Sequence, residues 1–158
     1  MRVTTKSRYG LRAMIQLAID TSTKERTTLC SIAGKQDLSE RYLEQIFSVL
    51  KKSGLVQSAR GVRGGYSLSR DPSEITVADI LKALEDPVEI VGCLRRGTCV
   101  KENDCVTYMI WKRIFDCMIN CADSISLQSI VEITLKAGNR TDGKNDLFGP
   151  CSNNEDKR

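Results

Sequence analysis

The stretch Arg60-Gly61-Val62-Arg63-Gly64-Gly65 constrains this chain more than any other. Three glycines in six residues allow the positive φ angles of a tight reversal. Leu55-Val56-Gln57-Ser58 before it and Tyr66-Ser67-Leu68-Ser69 after it each have the character of a short strand. The six residues are thus the tip of a two-stranded hairpin, and the tip carries two arginines. As a cradle for nucleotide phosphates the stretch is weak. It matches no P-loop or dinucleotide pattern, and no helix begins after it.

Helical periods precede the hairpin. Ser7 is placed to cap a helix in which Leu11, Met14, Ile15, Ala18 and Ile19 recur at helical spacing. Arg8 and Arg12 fall on another face of it, free to meet a phosphate. Leu29, Ile32 and Ala33 anchor a short helix, which Cys30 joins as a small buried hydrophobe. Gln36-Asp37-Leu38 is a turn, Ser39 caps the next helix, and Leu43, Ile46, Phe47 and Leu50 form its buried stripe. Gly54 stops it. A short helix, a tight turn and a second helix form a helix-turn-helix, whose second helix enters the major groove. Arg41, Tyr42, Glu44 and Gln45 lie off the apolar stripe and are the candidates for base edges: Arg for guanine, Gln for adenine, an acid for cytosine. The helical pattern alone equally describes an ordinary helical hairpin with a solvated face. The basic hairpin that follows at once turns the pair into a winged helix, with Arg60 and Arg63 on a wing suited to the minor groove or to phosphate.

Charge agrees with that division. Residues 1–70 hold 13 Lys and Arg against 5 Asp and Glu, while residues 71–158 hold 11 against 15. A basic first half joined to a mildly acidic second half points to a nucleic-acid module with something attached. No run approaches the ~20 apolar residues that cross a bilayer, and no signal-peptide core is present. The expectation is a cytoplasmic protein, not membrane-bound, with its seven cysteines mostly reduced.

Beyond the wing, Asp71-Pro72-Ser73 closes the hairpin. Thr76 caps a helix through Val77, Ile80, Leu81 and Leu84 that Pro87 ends. Tyr108 to Asp123 carries a broad apolar stripe of Trp111, Ile114, Phe115, Met118, Ile119 and Ala122, whose economical partner is a second copy of the chain. Ser126 caps a short helix, and polar residues dominate from Gly138 on. The expected fold is mainly α with a small β wing: a winged helix-turn-helix over 1–86, a cysteine-rich loop over 87–106, a long dimerisation helix with a short terminal helix over 107–137, and a flexible tail over 138–158.

Cys93, Cys99 and Cys105 are spaced by two equal gaps of five residues in a segment with neither helical nor strand period. Packing does not explain three thiols there, and soft thiolates from a loop suit an iron-sulfur cluster or zinc. Zinc is the poorer match, since structural sites want four ligands and tighter Cys pairs and the chain has no histidine. Cys117 and Cys121 share a helical face, Cys117 lies about 18 Å along the helix from Cys105, and interface packing is their expected role. Cys151 is assigned none. An enzyme of the cysteine redox type is disfavoured by the absence of CxxC and of any His base.

Tyr42-Leu43-Glu44-Gln45-Ile46-Phe47, Leu50-Lys51-Lys52-Ser53-Gly54-Leu55-Val56, Arg60-Gly61-Val62-Arg63-Gly64-Gly65-Tyr66-Ser67-Leu68 and the opening Met1 to Tyr9 closely resemble the IscR-like (Rrf-two) family of bacterial winged-helix regulators, over roughly residues 1–135. The resemblance implies a homodimer that binds double-stranded operator DNA as two half-sites and is not an enzyme. It implies Arg41, Glu44, Gln45 and Arg60 as DNA-binding residues, beside Arg8, Ser39, Tyr42 and Arg63. The cysteine spacing is that of the IscR branch, which implies an iron-sulfur cluster on Cys93, Cys99 and Cys105, of 2Fe-2S or 4Fe-4S type. That branch supplies a histidine three residues after the third cysteine, where this chain has Tyr108. The acidic ligand used by the NsrR branch matches Arg8. The fourth ligand is therefore open among Glu102, Asp104, a water or small thiol, and a group from a second subunit. The regulated genes implied are those of cluster biogenesis, iron, or redox and nitric-oxide response, by repression. A CymR-like regulator of sulfur metabolism, acting without a cluster, is the alternative.

Overall fold

Thr4, not Ser7, starts the first helix. In the computed structural model, which describes residues 4–61, 63–85, 91–94 and 104–138, Thr4 has an extended backbone and its hydroxyl accepts the N–H of Ser7. Helix α1 therefore runs Thr5–Thr21, and Ser7 lies buried inside it. Either residue type can cap, so the choice falls to packing: one turn more of helix lets Lys6 Nζ donate to the Leu84 carbonyl at 3.2 Å and leaves the Thr4 N–H to the Glu85 carboxylate at 2.8 Å.

Helix α2 (Leu29–Gln36) is capped by Thr28, whose hydroxyl accepts the N–H of Ser31. It ends at Asp37 in the left-handed region, φ 52°, a conformation Asp tolerates better than branched residues. Ser39 then caps α3 (Glu40–Lys52) by accepting the N–H of Tyr42 at 3.2 Å. Gly54, at φ 72°, turns the chain out of α3. Strands β1 (Val56–Ala59) and β2 (Gly65–Leu68) pair antiparallel from Val56↔Leu68 to Ala59↔Gly65. Thr27 adds an isolated bridge to β2 outside the named strands, with its N–H and carbonyl both bonded to Tyr66 at 3.0 and 2.7 Å. Gly65 permits this approach, because a Cβ there would stand 2.6 Å from the Thr27 carbonyl oxygen.

A 3-10 turn at Pro72–Glu74 leads to α4 (Val77–Leu84), which opens on a capping box between Thr76 and Asp79. A second 3-10 turn, Gly92–Leu94, packs against α5 (Val106–Asp123). Helix α6 (Leu127–Gly138) follows, with Ser126 accepting the N–H of Ser129 at 3.1 Å. Pro87 and the tail after 138 lie outside the described residues.

One core joins these elements. Met14, Leu17, Ile32, Leu43, Ile46, Phe47, Leu50, Ile75 and Ile80 are essentially inaccessible, and Leu127 and Val131 of α6 belong to the same cluster. The corner between α5 and α6 is fixed to the start of α4: Val77 N–H donates to the Ile125 carbonyl at 2.9 Å, Leu127 N–H to the Ile75 carbonyl at 2.7 Å, and the Thr76 hydroxyl to Asp123 at 3.1 Å. Helix α5 does not carry one apolar stripe. Phe115, Met118, Ile119 and Ala122 are half or fully covered, and α5 packs on α4. Val106, Met109 and Ile110 are 69%, 62% and 53% exposed, with Trp111 and Ile114 also open. The expected single stripe is thus two faces, one used within the subunit and one left facing solvent.

Candidate nucleic-acid interface and cysteine segment

Burying Leu43, Ile46, Phe47 and Leu50 turns the other side of α3 outward. Arg41, Glu44 and Gln45 are exposed there. Tyr42 is half-buried, its ring edge-on to Tyr9 of α1 with centroids 6.1 Å apart. Ser39 is exposed at the helix start, its hydroxyl taken up by the cap. Arg8, also exposed, holds its guanidinium 5.0 Å from the centre of the Tyr9 ring. The sequence reading overlooked Tyr9, although its place beside Arg8 and one turn before Arg12 was a usable signal.

Arg12 departs from expectation. Instead of standing free for phosphate, it donates to the side chain of Gln36 at 3.0 Å and to the Gln36 carbonyl at 3.1 Å, clamping the end of α2. Gln36 continues to Gln16 at 3.0 Å and Gln16 to Asp20 at 2.8 Å. Asp20 is buried and also accepts from Lys35 at 2.5 Å and Thr27 at 3.2 Å. Burial alone pushes the Asp20 carboxyl up, but the bonds from Lys35, Gln16 and Thr27 outweigh it and hold the carboxyl below its ordinary value. This chain of polar groups ties α1 to α2.

At the wing, Arg60 and Arg63 are both exposed. Gly61 sits at φ 105°, and the Gly64 N–H donates back to its carbonyl at 2.8 Å. Val62 lies outside the described residues. Lys51, from the last turn of α3, donates to Ser58 of β1 at 2.6 Å and ties wing to helix. Arg8, the outer side of α3 and the wing arginines therefore belong to three elements of one packed unit, within residues 1–70, which hold 13 Lys and Arg against 5 Asp and Glu.

Of the three spaced cysteines, two fall among the described residues. Cys93 is half-buried in the turn Gly92–Leu94, and Cys105 is half-buried as the residue before α5. Cys99 and Glu102 lie outside the described residues, and Asp104 is exposed. The hydroxyl of Thr107, 3.0 Å from Cys105 Sγ, and the N–H of Tyr108 lower the Cys105 thiol from its ordinary value, as the start of a helix commonly does. Tyr108 itself is half-buried. Among the described residues no group of three or more His, Cys, Asp or Glu is gathered to hold a metal. Cys93 and Cys105 are soft donors of the kind iron-sulfur clusters take, the Cys105 thiol is lowered, and the chain holds no imidazole. Cys30 is exposed, not buried, because Leu29, Ile32 and Ala33 supply the inner face of α2. Cys117 is exposed and Cys121 half-buried, while Cys151 lies outside the described residues.

A helix-turn-helix flanked by a basic hairpin, with α1 packed behind it, defines a winged-helix regulator of transcription. The family model Rrf2, described as an iron-dependent transcriptional regulator, matches residues 3–133. The chain is 40% identical over 131 residues to the HTH-type transcriptional regulator IscR of Photorhabdus laumondii subsp. laumondii, covering 83% of this chain and 79% of that one. It is 37% identical to IscR of Escherichia coli O1:K1 / APEC, covering 83% and 80%. Among solved structures, T. potens IscR matches with TM-score 0.70 and 35% identity over 90% of this chain and 94% of that one. CymR, the global cysteine regulator of B. subtilis, matches with TM-score 0.68 and 39% identity over 84% and 97%. The chain belongs to the Rrf2 family of transcriptional regulators and is of the IscR type. It binds DNA as that family does, and its relatives are transcriptional regulators. No helix among the described residues is long and apolar enough to cross a membrane.

Proposed function

We propose that this regulator works in the cytoplasm as a homodimer that reads two operator half-sites and responds to an iron-sulfur cluster held by Cys93, Cys99 and Cys105. In this reading Arg41, Glu44 and Gln45 meet base edges. Ser39, Tyr42 and Arg8 fix the approach to the backbone, and Arg60 and Arg63 grip phosphate or the minor groove. The exposed row Val106, Met109, Ile110 and Ile114 supports α5 as the pairing helix, since such a row in water calls for a partner. The winged helix over 1–86, the loop over 87–106, the helices over 107–137 and the tail after 138 then have separate tasks. The observation that carries the reading is the place of Cys105, which is at once a spaced cysteine with a lowered thiol and the residue before α5. A cluster there would order the joint between the DNA-reading unit and the pairing helix, and so favour one spacing of the two recognition helices over another. Half-sites one turn apart lie ~34 Å from centre to centre.

When bound, a cluster would supply sensitivity to iron and oxidants, and the chain has no histidine to serve as a fourth contact. Anaerobic purification with iron and sulfide counts, followed by operator binding, tests the reading. Brown protein with two or four irons per subunit, whose operator preference changes on cluster loss, is expected. Colourless protein with unchanged operator binding would overturn the sensor. It would favour the second reading, a cluster-free regulator of sulfur metabolism, which the 39% identity to CymR supports. Repression of genes for cluster biogenesis, iron or redox and nitric-oxide response is the expected output.

A further inference from the structure

The ribbon of β1 and β2, the end of α1 and helix α6 border a cavity of about 550 Å³, apart from the wing tip and the cysteine segment. Its floor is closed: Ala18, Ser67 and Val131 are only 3%, 8% and 6% exposed. Gln57 pairs with Ser67 across the ribbon, so both side chains face the cavity from one wall. Gln128 and Glu132, one turn apart on α6, line it from the other. Cavities that hold small organic molecules run ~300–1,000 Å³.

The hydrogen-bonding groups of the lining narrow the choice of molecule. Gln57 donates its amide to the Leu68 carbonyl at 3.2 Å, and Gln128 donates to the Glu132 carboxylate at 3.0 Å. Each amide is thereby oriented, and its own carbonyl oxygen is left as an acceptor. Thr21 and Ser22 likewise donate their hydroxyls to carbonyls of α1, at 2.8 and 2.7 Å, and keep their lone pairs. The Ser67 hydroxyl, at the buried floor, has no hydrogen-bond partner among the described residues. Charge points the same way. Arg26 is held by Glu25 at 3.1 Å, whereas Glu132 meets no cation among the described residues, so the lining has one negative charge in excess. Spare acceptors and a spare carboxylate call for a positively charged N–H donor, and Ala18, Leu68 and Val131 call for an aliphatic stem. We propose that this cavity binds an aliphatic polyamine, with one ammonium group at Gln57 and Ser67, another at Gln128 and Glu132, and the methylenes on the apolar floor. The bound molecule bridges the wing ribbon and α6, and gives the regulator a soluble input that does not pass through the cysteine segment.

Calorimetric titration of the full-length protein with diaminobutane, at constant ionic strength, tests the site. One saturable equivalent per chain is expected, with an unfolding midpoint that rises as diamine is added. Butanediol and butanoate, of similar length but without positive charge, should give neither. Glu132→Gln keeps the shape of the rim, removes the charge, and should weaken diamine binding about threefold to tenfold. Ser67→Val fills the floor and should abolish binding. Both variants should keep the wild-type circular dichroism, because Glu132 is exposed and the Ser67 side chain supports no other group. Absence of a saturable equivalent, equal binding of butanediol, or undiminished diamine binding in either folded variant would overturn the proposal.

Discussion

Tyr42 of the recognition helix meets Tyr9 of α1 edge to face, and the same Tyr9 ring lies under the Arg8 guanidinium. One aromatic ring thus orients a reading helix and seats a cation beside it. Tyr9→Leu keeps the apolar bulk and removes the edge contact. The expected cost is about 0.5–1.5 kcal/mol in denaturant unfolding, with weaker binding to cognate and random DNA alike. Unchanged DNA affinity would show that Arg8 needs no such seat.

Gln45 and Arg63 should separate by what they read. Gln45→Ala is expected to relax discrimination at one base pair by about 1–3 kcal/mol. Arg63→Ala should weaken binding to every sequence and flatten its salt dependence. Affinities for a set of single-base operator variants at several salt concentrations check both. Equal loss on cognate and random DNA for Gln45→Ala would remove it from the base-reading set.

Leu127 lies beyond the winged helix in sequence but is fully buried in its core. Leu127→Ala should cost about 2–5 kcal/mol and lower the unfolding midpoint of the whole chain in one transition. A second, separate transition in calorimetry would contradict a shared core.

Asp20 gives the chain an acid-side dependence. Its folded carboxyl lies below the ordinary 3.8, so its contribution is present above that value and disappears as pH falls through the lowered one. Asp20→Asn should be least stable relative to wild type above about pH 4, and the difference should narrow in more acid solution. Unfolding midpoints across pH 2–7 measure it. A constant difference would mean that the Asp20 charge plays no part.

Cys105→Ala tests the joint directly. Iron and sulfide should fall to background while the unfolding midpoint of the iron-free protein stays close to that of iron-free wild type, because the half-buried Cys105 side chain makes only local contacts, to Thr107 and Tyr108. Retained iron would move the ligand set elsewhere in the chain.

The wing was legible because Gly61, Gly64 and Gly65 leave the backbone few alternatives, and α3 because its four buried residues follow the helical period closely. Arg12 was misread for a definite reason. Spacing says which face of α1 it occupies, but not that α2 offers Gln36 across the gap. Thr27 pairs through a single residue, which has no period to detect. Cys30 was placed inside by the apolar residues beside it, although 100° of rotation from Leu29 carries it outward. The division of α5 into an inner and an outer face needed α4, since both faces are apolar in sequence. Cys99 and Cys151 are known only as residues of the chain, so the cysteine segment is more legible as chemistry than as shape.

Sharing Leu127 and Val131 between α6 and the core of α1 has a consequence for how such regulators can be recombined. A graft joined near residue 86 would hand the recipient a reading unit with an open seam, and the donor a pair of helices with two orphaned apolar side chains. New specificities are better made by changing letters on α3 and the wing tip than by exchanging whole halves.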